Sequence, residues 1–553
     1  MLRLCEHIIQ RFFVIAILIG LPGLASAQSG SPEPANADSL WRHLTILGDD
    51  SLRGRGTGSA GCDIAARYIA DILTRYGVQP LPGQRSLFQT FPVHGSRAVE
   101  GTQLTFYAPK DSYHPRLNED YVLYSTGDQT FLPVPVRLVF VGYGIVAPEY
   151  DYNDYQNIDV RNAVVVFLSG EPRSADRSYF DGERETIHSS VAEKQRTALA
   201  RGAAGSILLP NPNDPAMEDW YEQQRHFRFE DARLLMSPAS RFTILLNQKL
   251  APLLFGGALH SFDEITAMER NGAVVSFPLE LRISFQGRFA EREFLTSNIA
   301  GVIEGSDPSL RDTYVMVSAH YDHLGIGTPV NGDSIYNGVA DNASGVASAM
   351  EIARSLSAHR QELRRSVLFL FITGEERGFI GSQYYCRNPL VPLHRTIADV
   401  NVDGLSLFEP VRTVIPVGGE LSDLGAFVRT AAHEVDVGID TLPAVLMRRD
   451  QFQSSDQFIF AQSGIPSILV AEGLHYRSTS YAQGLERSLR WSEERYHSPF
   501  DDLSQPIDIT AMVQHTNILL RLVSDLARSE SVPQWTGPSV YRSARIRSIS
   551  EKR

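Results

Sequence analysis

Three side chains that can bind a metal come directly after one predicted strand. The apolar run 314–318 is followed by His320, Asp322 and His323. A short, continuous apolar run is typical of a buried strand, where a polar side chain is costly unless it is paired or binds a ligand. Taken alone, His320 could equally be a structural histidine with a hydrogen-bond partner. The segment is therefore a candidate site that needs support from elsewhere in the chain.

Carboxylates end two further predicted strands. Glu375 and Glu376 follow the apolar run 366–372, and Asp403 follows the run 398–402. A solvated charge pair would explain the two glutamates, and a simple turn would explain the aspartate. However, the C-terminal ends of parallel strands share one edge of a sheet, where ligands bind. We therefore expect these carboxylates to lie close to the histidine that follows the first strand.

Two more candidates lie outside the predicted strands. Asp341 stands at the start of a predicted helix, where aspartate is also favoured as a helix N-cap. His497 precedes a Ser-Pro pair in a predicted loop. Separate explanations would have to hold for each of these residues, whereas one shared site accounts for all of them.

Two imidazoles and several carboxylates at one site predict a pair of divalent cations. Without a counter-ion these carboxylates would repel one another, and their pKa values would rise. Three carboxylate ligands and one bridging hydroxide would balance two divalent ions. Mixed nitrogen and oxygen ligands favour zinc, whereas an all-oxygen set would favour magnesium or calcium. Asp341 is short enough to bridge two ions that lie a few ångströms apart.

The elements that must position these residues predict an α/β fold, with a mostly parallel mixed sheet flanked by helices on both faces. Strand and helix candidates alternate from about 295 to 528, which is typical of such a sheet. Helical periodicity begins near Ser39, recurs at 62–76 and ends with an amphipathic helix at 509–526. The Ser- and Arg-rich residues beyond Val532 predict an appendage or a partly disordered segment.

Five segments of the chain resemble the motifs of the co-catalytic di-zinc aminopeptidases of the aminopeptidase S and aminopeptidase Y type. The resemblance covers about 295–528, and the motifs occur in the family's order. A further segment, 454–466, resembles the family's late motif. The fold that this implies is the α/β zinc-exopeptidase fold, which is phosphorylase/hydrolase-like. The five segments are Ser318-Ala319-His320-Tyr321-Asp322-His323, Asn337 to Gly345, Thr373-Gly374-Glu375-Glu376, Asn401-Val402-Asp403-Gly404 and Tyr496 to Asp502.

The resemblance implies two zinc ions per chain and a set of three ligands for each ion. One zinc would bind His320, Asp341 and Asp403. The other would bind Asp341, Glu376 and His497. Asp341 would then bridge the two ions.

The resemblance also implies roles for residues that do not bind the metals. Glu375 would be the general base, Tyr496 would stabilise the oxyanion, and Asp322 would hold the far ring nitrogen of His320. Relatives often carry a histidine where this chain has Gln457. That departure puts an outer contact of the site in doubt and leaves the metal ligands unaffected.

The activity implied is hydrolysis of N-terminal amino acids from peptide substrates. A carboxypeptidase on the same scaffold would need a basic pocket for the substrate carboxylate, for which Arg448, Arg449 and Arg477 are candidate donors. A glutaminyl-cyclase-like transferase and a non-catalytic binding protein are further alternatives. The full set of five ligands and the base disfavours both of them.

The sequence predicts five parts of the chain. The second part begins the peptidase domain, and the third resembles a protease-associated domain through Gly142-Tyr143-Gly144 and 194–205. The parts are a signal peptide at 1–27, a linker and the first part of the peptidase domain at 28–127, the protease-associated insert at 128–285, the main peptidase part at 286–530 and a tail at 531–553.

The N-terminal residues predict a secretory signal peptide that is cleaved after Ala27. Arg3 and Arg11 precede the apolar run 12–21, and a small-residue A-x-A pattern ends at Ala27. The run is too short for a stable membrane span. We therefore expect a secreted or periplasmic protein with no stable membrane insertion after cleavage. Cys62 and Cys386 would remain and could pair in an oxidising compartment.

Composition narrows the range of partners. Hydrophobic residues make up 43% of the 553 residues and charged residues 21%, as in soluble globular proteins. The formal net charge of −13 argues against nucleic acid as a partner, because phosphate binding needs clustered lysine and arginine. The oligomeric state is left open by the sequence.

Overall fold

The computed structural model describes residues 32–551, except for 129, 177, 181, 183–185, 215–219, 236–240, 405–406, 444–450 and 537–539. The predicted signal peptide lies outside the described residues, as do Arg448 and Arg449. No described helix is both long and apolar enough to cross a membrane.

Thirteen α-helices occur in the described part of the chain. Several of them begin with a side-chain cap, such as Ser59, whose hydroxyl accepts a hydrogen bond from the backbone N–H of Cys62. The helices are α1 Ala37–Leu47, α2 Ala60–Arg75, α3 Val191–Ala200, α4 Trp220–Arg225, α5 Ala251–Leu254, α6 Phe262–Arg270, α7 Ser344–Ala358, α8 Ile380–Arg387, α9 Leu424–His433, α10 Gln457–Gln462, α11 Tyr481–Glu494, α12 Ile509–Arg528 and α13 Val540–Glu551.

The described residues also form 21 strands, which belong to two large sheets and two small hairpins. The strands are β1 Phe88–Ala98, β2 Gln103–Tyr107, β3 Ser112–Tyr113, β4 Tyr121–Leu123, β5 Leu132–Phe140, β6 Val146–Ala147, β7 Tyr152–Asn153, β8 Val164–Leu168, β9 Gly205–Leu209, β10 Asp231–Leu234, β11 Phe242–Leu246, β12 Phe277–Gln286, β13 Phe289–Ile303, β14 Tyr314–His320, β15 Gly325–Val330, β16 Asp333–Tyr336, β17 Ser366–Ile372, β18 Thr396–Asn401, β19 Thr413–Val417, β20 Gly438–Ile439 and β21 Ser467–Glu472.

The main sheet has nine strands in the order β10-β1-β13-β17-β14-β18-β21-β19-β20. Its centre, from β17 to β21, is parallel, and antiparallel pairs flank that centre on both sides. Alternate residues of the central strands face opposite sides. Val315 and Val317 join a core with α1, α2, α7 and α12, whereas Met316 packs with residues of α8 and α10. Both faces are therefore covered by helices, as the buried runs predicted.

A second sheet of eight strands is built from residues between 103 and 286, in the order β3-β2-β12-β5-β8-β9-β11-β4. It has its own apolar core, in which Phe140, Phe255 and Phe277 lie in ring contact. Lys194 is buried here. Its Nζ donates to the carbonyl of Leu168 at 2.9 Å and lies 5.4 Å from the centre of the Tyr143 ring. The two segments that resemble a protease-associated domain thus meet in space, while the domain boundaries stay a prediction.

One strand within that stretch belongs to the main sheet instead. β10 pairs antiparallel with β1, with Val93 opposite Leu234 and Ser96 opposite Asp231. Since β1 also pairs with β13, β10 forms the edge of the nine-stranded sheet. The polypeptide between 128 and 285 is therefore hydrogen-bonded into the sheet that carries the candidate site.

Of the two alternatives predicted for the tail, partial disorder is wrong for its described part, which is packed and contains a helix. Trp535 is buried, and its Nε1 donates to the carbonyl of Gly464 at 3.2 Å. α13 follows, and Arg545 on this helix donates to the carbonyls of Leu393 and Thr396. The tail is low in apolar residues overall, but the buried Trp535 side chain packs it against the rest of the chain. Cys62 and Cys386, in contrast, are both free thiols, so the pairing that was left open is not formed.

We expect His515 to make stability depend on pH. The ring lies fully buried in α12 with its Nε2 2.9 Å from the carbonyl oxygen of Val470, and burial lowers the pKa of His515 to about 4. The unfolded chain therefore takes up a proton that the folded protein does not hold. As a result, this group lowers the free energy of unfolding as pH falls from about 6.5 towards about 4.

Chemical denaturation of the wild type and of His515→Gln at two pH values tests this expectation. The substitution should destabilise the protein by about 2 kcal/mol less at a pH of about 5 than at a pH of about 7. An effect of the substitution that is the same at both pH values would contradict it.

Candidate metal centre

Three strand ends bring the predicted residues to one edge of the main sheet. His320 is the last residue of β14 and lies opposite Ile372, the last residue of β17. Glu376 follows four residues later. Ser318 of β14 lies opposite Asn401, the last residue of β18, and Asp403 follows that strand. The parallel register therefore sets the two carboxylates on either side of the histidine, as expected for C-terminal strand ends.

Asp341 reaches the same place from the turn before α7. This turn is held to the end of β18 by Asn342, whose Nδ2 donates to the carbonyl of Val402 at 2.8 Å. The Oδ1 of Asn342 accepts hydrogen bonds from the backbone N–H groups of Gly345 at 3.0 Å and Gly404 at 3.1 Å. One buried amide thus fixes the start of the helix against the segment that carries Asp403.

His320 lies between two carboxylates. Its Nε2 is 3.2 Å from Oδ1 of Asp341 and 3.1 Å from Oδ1 of Asp403. Its Nδ1 is 3.1 Å from the backbone carbonyl oxygen of Asp322, a contact in which the ring N–H donates. A proton on Nδ1 leaves the lone pair of Nε2 directed at the two carboxylates, which is the arrangement of a metal-binding histidine.

The second oxygen of Asp341 faces a different histidine. Its Oδ2 is 3.0 Å from Nε2 of His497, and that nitrogen is 3.4 Å from Oε2 of Glu376. Asp341 therefore presents one oxygen to each of two groups, each of which contains a histidine and a further carboxylate. The structure brings all five predicted ligands together in this way.

The donor set fits two zinc ions. Two ligand atoms that share a tetrahedral zinc lie roughly 3.3–3.6 Å apart, which is close to the separations of 3.0–3.4 Å between the histidine nitrogens and carboxylate oxygens here. Among the described residues, ligand atoms cluster into a group of His320, Asp341 and Asp403 and a group of His323, Asp341 and Glu376. Oε1 of Glu376 is buried and has no hydrogen-bond partner in the described part of the chain. A bound cation is the partner that such an oxygen needs.

Asp322 connects the predicted metal ligands to Glu375, the predicted base. Its Oδ2 accepts a hydrogen bond from the hydroxyl of Thr57 at 2.6 Å, and its Oδ1 accepts from the backbone N–H of Glu375 at 3.3 Å. The carboxylate lies 3.9 Å from Nδ1 of His320, so the backbone carbonyl of Asp322 makes the closer contact with that ring. Both the main chain and the side chain of Asp322 thus act on the site.

Glu375 lies among the other acids of the site. Burial raises the pKa of Glu375 well above its ordinary value. His320 opposes that shift, while the negative charges of Glu376, Asp403 and Asp456 add to it. A raised pKa makes the carboxylate a stronger proton acceptor, which suits a general base.

Tyr496 is stacked on His497. The ring centres are 3.8 Å apart with an angle of 21° between the planes. Burial raises the pKa of Tyr496 well above its ordinary value, and the charges of Asp341, Glu376 and other carboxylates add to this effect. The phenol therefore stays protonated and can donate a hydrogen bond.

Gln457 occupies a fully buried position in a hydrogen-bond network. Its Oε1 accepts from Nδ2 of Asn401 at 2.6 Å, and its Nε2 donates to the backbone carbonyl of Phe452 at 2.9 Å. Asn401 also donates to the hydroxyl of Ser455 at 2.8 Å. Gln457 therefore fastens the segment that precedes α10 to the end of β18, which is a structural contact.

Two residues to which the sequence analysis gave no role also shape the site. His323 lies with its Nδ1 2.6 Å from Oε1 of Glu376. Asp501 is fully buried and accepts hydrogen bonds from the backbone N–H groups of Ala340 at 2.8 Å and Asp341 at 3.0 Å. The close spacing of His320 and His323 is the signal that pointed to the first residue, whereas no local pattern reveals the contacts of Asp501.

Replacing Asp501 by asparagine should weaken zinc binding by about 10–100-fold, since the loss of a group that holds a ligand typically has that effect. An amide can accept one of the two backbone hydrogen bonds, but its NH₂ group then faces the other N–H. Competition with a chromogenic chelator measures the affinity. Asp502→Asn is the matched control, because within the described residues the side chain of Asp502 accepts hydrogen bonds from Ser504 alone. Equal affinities for the two variants would contradict the role of Asp501.

A segment from the second-sheet stretch lies beside the centre. Arg225, at the end of α4, donates through Nη1 to the backbone carbonyl of Tyr496 at 2.6 Å. The ring of Phe229 meets the Tyr336 ring edge-on at 5.0 Å, and the guanidinium of Arg377 lies 5.1 Å from the centre of the Phe229 ring. Arg377 directly follows Glu376 in the chain. This stretch therefore contributes to the wall of the site.

Residues 298–523 match the sequence model of the family described as Peptidase family M28. The chain is also 25% identical over 395 residues to "Probable glutamate carboxypeptidase VP8" from Zea mays, an alignment that covers 66% of this chain and 51% of that protein. The chain thus spans about half the length of that relative. It is 34% identical over 110 residues to a "Probable zinc metalloprotease" from Pyricularia oryzae, which covers 20% of each chain.

Among solved structures, "Aminopeptidase from Aneurinibacillus sp. strain AM-1" aligns with a TM-score of 0.55 and 17% identity. The alignment covers 92% of this chain and 97% of that one. A likeness at this level of identity shows the fold. The predicted α/β class, with mixed sheets flanked by helices, is confirmed.

Proposed function

We propose that this protein is a zinc-dependent exopeptidase that removes N-terminal amino acids from peptides with a water molecule activated by two metal ions. The observation that carries the proposal is the position of Asp341. Its two oxygens face two different histidines, His320 at 3.2 Å and His497 at 3.0 Å. A carboxylate placed between two nitrogen ligands in this way is suited to bridge two cations. The match of residues 298–523 to a peptidase family supports the same conclusion.

His320, Asp341 and Asp403 would hold one zinc, and Asp341, Glu376 and His497 the other. When bound, two zinc ions supply the positive charge that lowers the pKa of a water molecule towards about 7 and polarises the substrate carbonyl. Three carboxylates offset most of the charge of two divalent ions, so the site is suited to them without further counter-ions.

The other residues of the site act on protons and on orientation. Glu375 accepts the proton of the attacking water and delivers it to the nitrogen of the leaving amine. Asp322 sets the position of Glu375 through the 3.3 Å hydrogen bond to its backbone N–H. The Tyr496 hydroxyl donates to the oxygen that becomes negative as the carbonyl is attacked, a contact typically worth about 3–4 kcal/mol.

A carboxypeptidase is the second candidate, because one curated relative carries that name. The aligned solved structure carries the name aminopeptidase. Of the three arginines considered for a substrate carboxylate, Arg477 lies among the described residues. It is exposed, and its backbone N–H donates to the carbonyl of Pro410. We favour the aminopeptidase, for which a free substrate amine could bind a zinc or a nearby acid.

A panel of matched peptides separates the two candidates. One peptide carries a blocked N-terminus and a free carboxylate, and the other carries a free N-terminus and an amidated C-terminus. An aminopeptidase cleaves the second peptide alone, whereas a carboxypeptidase cleaves the first alone. The cleavage that is observed should disappear after chelation and return with zinc. Cleavage of neither peptide by zinc-loaded protein would overturn the proposal.

Two further assignments belong to this proposal. The stretch 128–285 would be a protease-associated domain, supported by the contact between Lys194 and Tyr143. The protein would be exported by its signal peptide and would act on peptides outside the cytoplasm. Mass determination of the N-terminus of the mature protein tests the export, with a first residue of Gln28 expected.

A further inference from the structure

His323 lies fully buried beside the position assigned to the second zinc. Its Nδ1 is 2.6 Å from Oε1 of Glu376, and its ring centre is 5.6 Å from that of His497. The ligand atoms of His323, Asp341 and Glu376 all lie within 4.8 Å of one another. The imidazole therefore borders the same space as Asp341 and Glu376, in a group of ligand atoms that does not itself include His497.

The contact between His323 and Glu376 is not a hydrogen bond. Within the described part of the chain, neither ring nitrogen of His323 has a hydrogen-bond partner, and neither has Oε1 of Glu376. The two atoms are 2.6 Å apart, which is an ion-pair distance, but they lack the alignment of a hydrogen bond. Buried nitrogen and oxygen atoms rarely stay without a partner. Two such atoms that border a site rich in carboxylates are suited to a shared cation.

The backbone around His323 makes room for this ring. Gly338 has a φ of 62°, and a Cβ at this position would lie 2.4 Å from Cγ of His323. The backbone N–H of His323 donates to the carbonyl of Arg55, whose buried guanidinium also donates to the carbonyl of Gly338 at 2.9 Å. The ring is thus held from two sides with its Nδ1 towards Glu376.

We propose that His323 is a fourth protein ligand, through Nδ1, of the cation held by Asp341, Glu376 and His497. This inference rests on the proposed two-zinc function and adds a residue that the five-ligand set does not contain. The two ions then differ in kind. His320, Asp341 and Asp403 would give one ion three protein ligands, whereas the other ion would have four and would take the shared water as a fifth ligand.

The inference assigns different tasks to the two positions. Four protein ligands would hold one ion and the shared Asp341 in place, whereas the ion with three would leave a position for the substrate. The substrate carbonyl oxygen should then approach from the side of His320 and Asp403. Metal binding in His323 variants measures the coordination without relying on activity.

The full-length mature protein, freed of metal with a chelator, should be titrated with zinc against a chromogenic competitor. The variants are His323→Phe, which keeps a ring of similar size, and His323→Asn, whose Oδ1 lies near the place of Nδ1. His433→Asn is the matched control, since His433 is an exposed histidine on α9. The same variants in an Asp403→Ala background isolate the second position. Cobalt substitution provides an absorption spectrum that reports coordination number.

We expect the wild type and His433→Asn to bind two zinc equivalents. His323→Phe should weaken one equivalent by at least about 10-fold, as expected when a metal loses a supporting group, and should weaken the single equivalent of the Asp403→Ala background to the same extent. The zinc affinity of His323→Asn should lie between that of the wild type and that of His323→Phe. Two equivalents bound as tightly by His323→Phe as by the wild type would overturn the inference and leave the proposed function intact.

Fewer than two equivalents in the wild type would instead overturn the two-zinc function, and the inference with it. If His323→Phe does not fold, the cobalt spectrum of His323→Asn decides. A spectrum identical to that of the wild type overturns the role of His323, and a changed spectrum with the same stoichiometry supports it.

Discussion

Replacing Glu375 by glutamine is expected to lower kcat by about 10²–10⁴-fold, the usual contribution of a general base, while both zinc ions remain bound. The amide keeps the size of the side chain but cannot accept a proton. The backbone N–H of Glu375, which donates to Asp322, is unchanged by the substitution. Steady-state kinetics on an aminoacyl anilide, together with elemental analysis of the same sample, measures both quantities.

The neighbouring Glu376→Gln variant provides the matched control. Oε2 of Glu376 lies 3.4 Å from His497, and its Oε1 lies 2.6 Å from His323. This variant should therefore lose zinc from one position, whereas Glu375→Gln should keep both ions. Zinc loss in Glu375→Gln, or full activity in that variant, would contradict the assignment of the base.

Replacing Asp341 by alanine is expected to remove both zinc ions and to reduce hydrolysis to the background rate. One side chain faces both histidines of the site, His320 through Oδ1 and His497 through Oδ2. Its loss should weaken the binding of each ion by more than roughly 100-fold, which is the upper end of the effect of losing a group that only hydrogen-bonds to a ligand. Chelator competition measures the two affinities.

Asp403→Ala is the comparison for this prediction. Asp403 lies 3.1 Å from His320 and belongs to one group of ligand atoms. One zinc should therefore stay tightly bound in Asp403→Ala, whereas none should stay in Asp341→Ala. If both variants kept the same number of ions, Asp341 would not be a bridge. Thermal melting of the metal-free proteins shows whether either variant is misfolded.

Much of the central sheet could be predicted because its strands are continuous apolar runs. The run 366–372 matches β17 residue for residue, since every side chain of this strand is buried. β18 begins at Thr396, two residues before the predicted start, and contains the buried Asp399. Its Oδ1 accepts a hydrogen bond from the hydroxyl of Ser318 at 2.7 Å. This hydrogen bond satisfies a polar side chain buried inside the predicted run 398–402, whereas the residues missed at the start of the strand are Thr396 and Ile397.

The residues of the centre could be predicted by type, but their individual contacts could not. Strand ends place His320 and Asp403 at one edge of the sheet, a rule that needs only the order of elements. The position of His323 depends on the path of the turn at Gly338 and on Arg55, which are far away in the sequence. Likewise, Asp322 reaches the ring of His320 with its backbone oxygen, a contact that no residue type specifies.

In the second sheet, too, local elements could be predicted from the sequence, whereas pairings between distant residues could not. Its helix α3 and strand β9 were predicted from local patterns at 191–201 and 206–209, and they occur at Val191–Ala200 and Gly205–Leu209. The partner of β10, however, is set by a pairing between residues more than 130 positions apart, such as Ser96 and Asp231. Local periodicity carries no information about such a choice of partner.

The placement of β10 means that the intervening polypeptide is not a removable accessory. If 128–285 were excised and the ends rejoined, β1 would become the outermost strand, and its unpaired N–H and C=O groups would be exposed to other molecules. Such bare edges are templates for self-association. A shortened protein of this kind would therefore be expected to aggregate, whatever the state of its metal ligands. Engineering that trims the chain should keep 226–235 in place to cover the edge of the sheet.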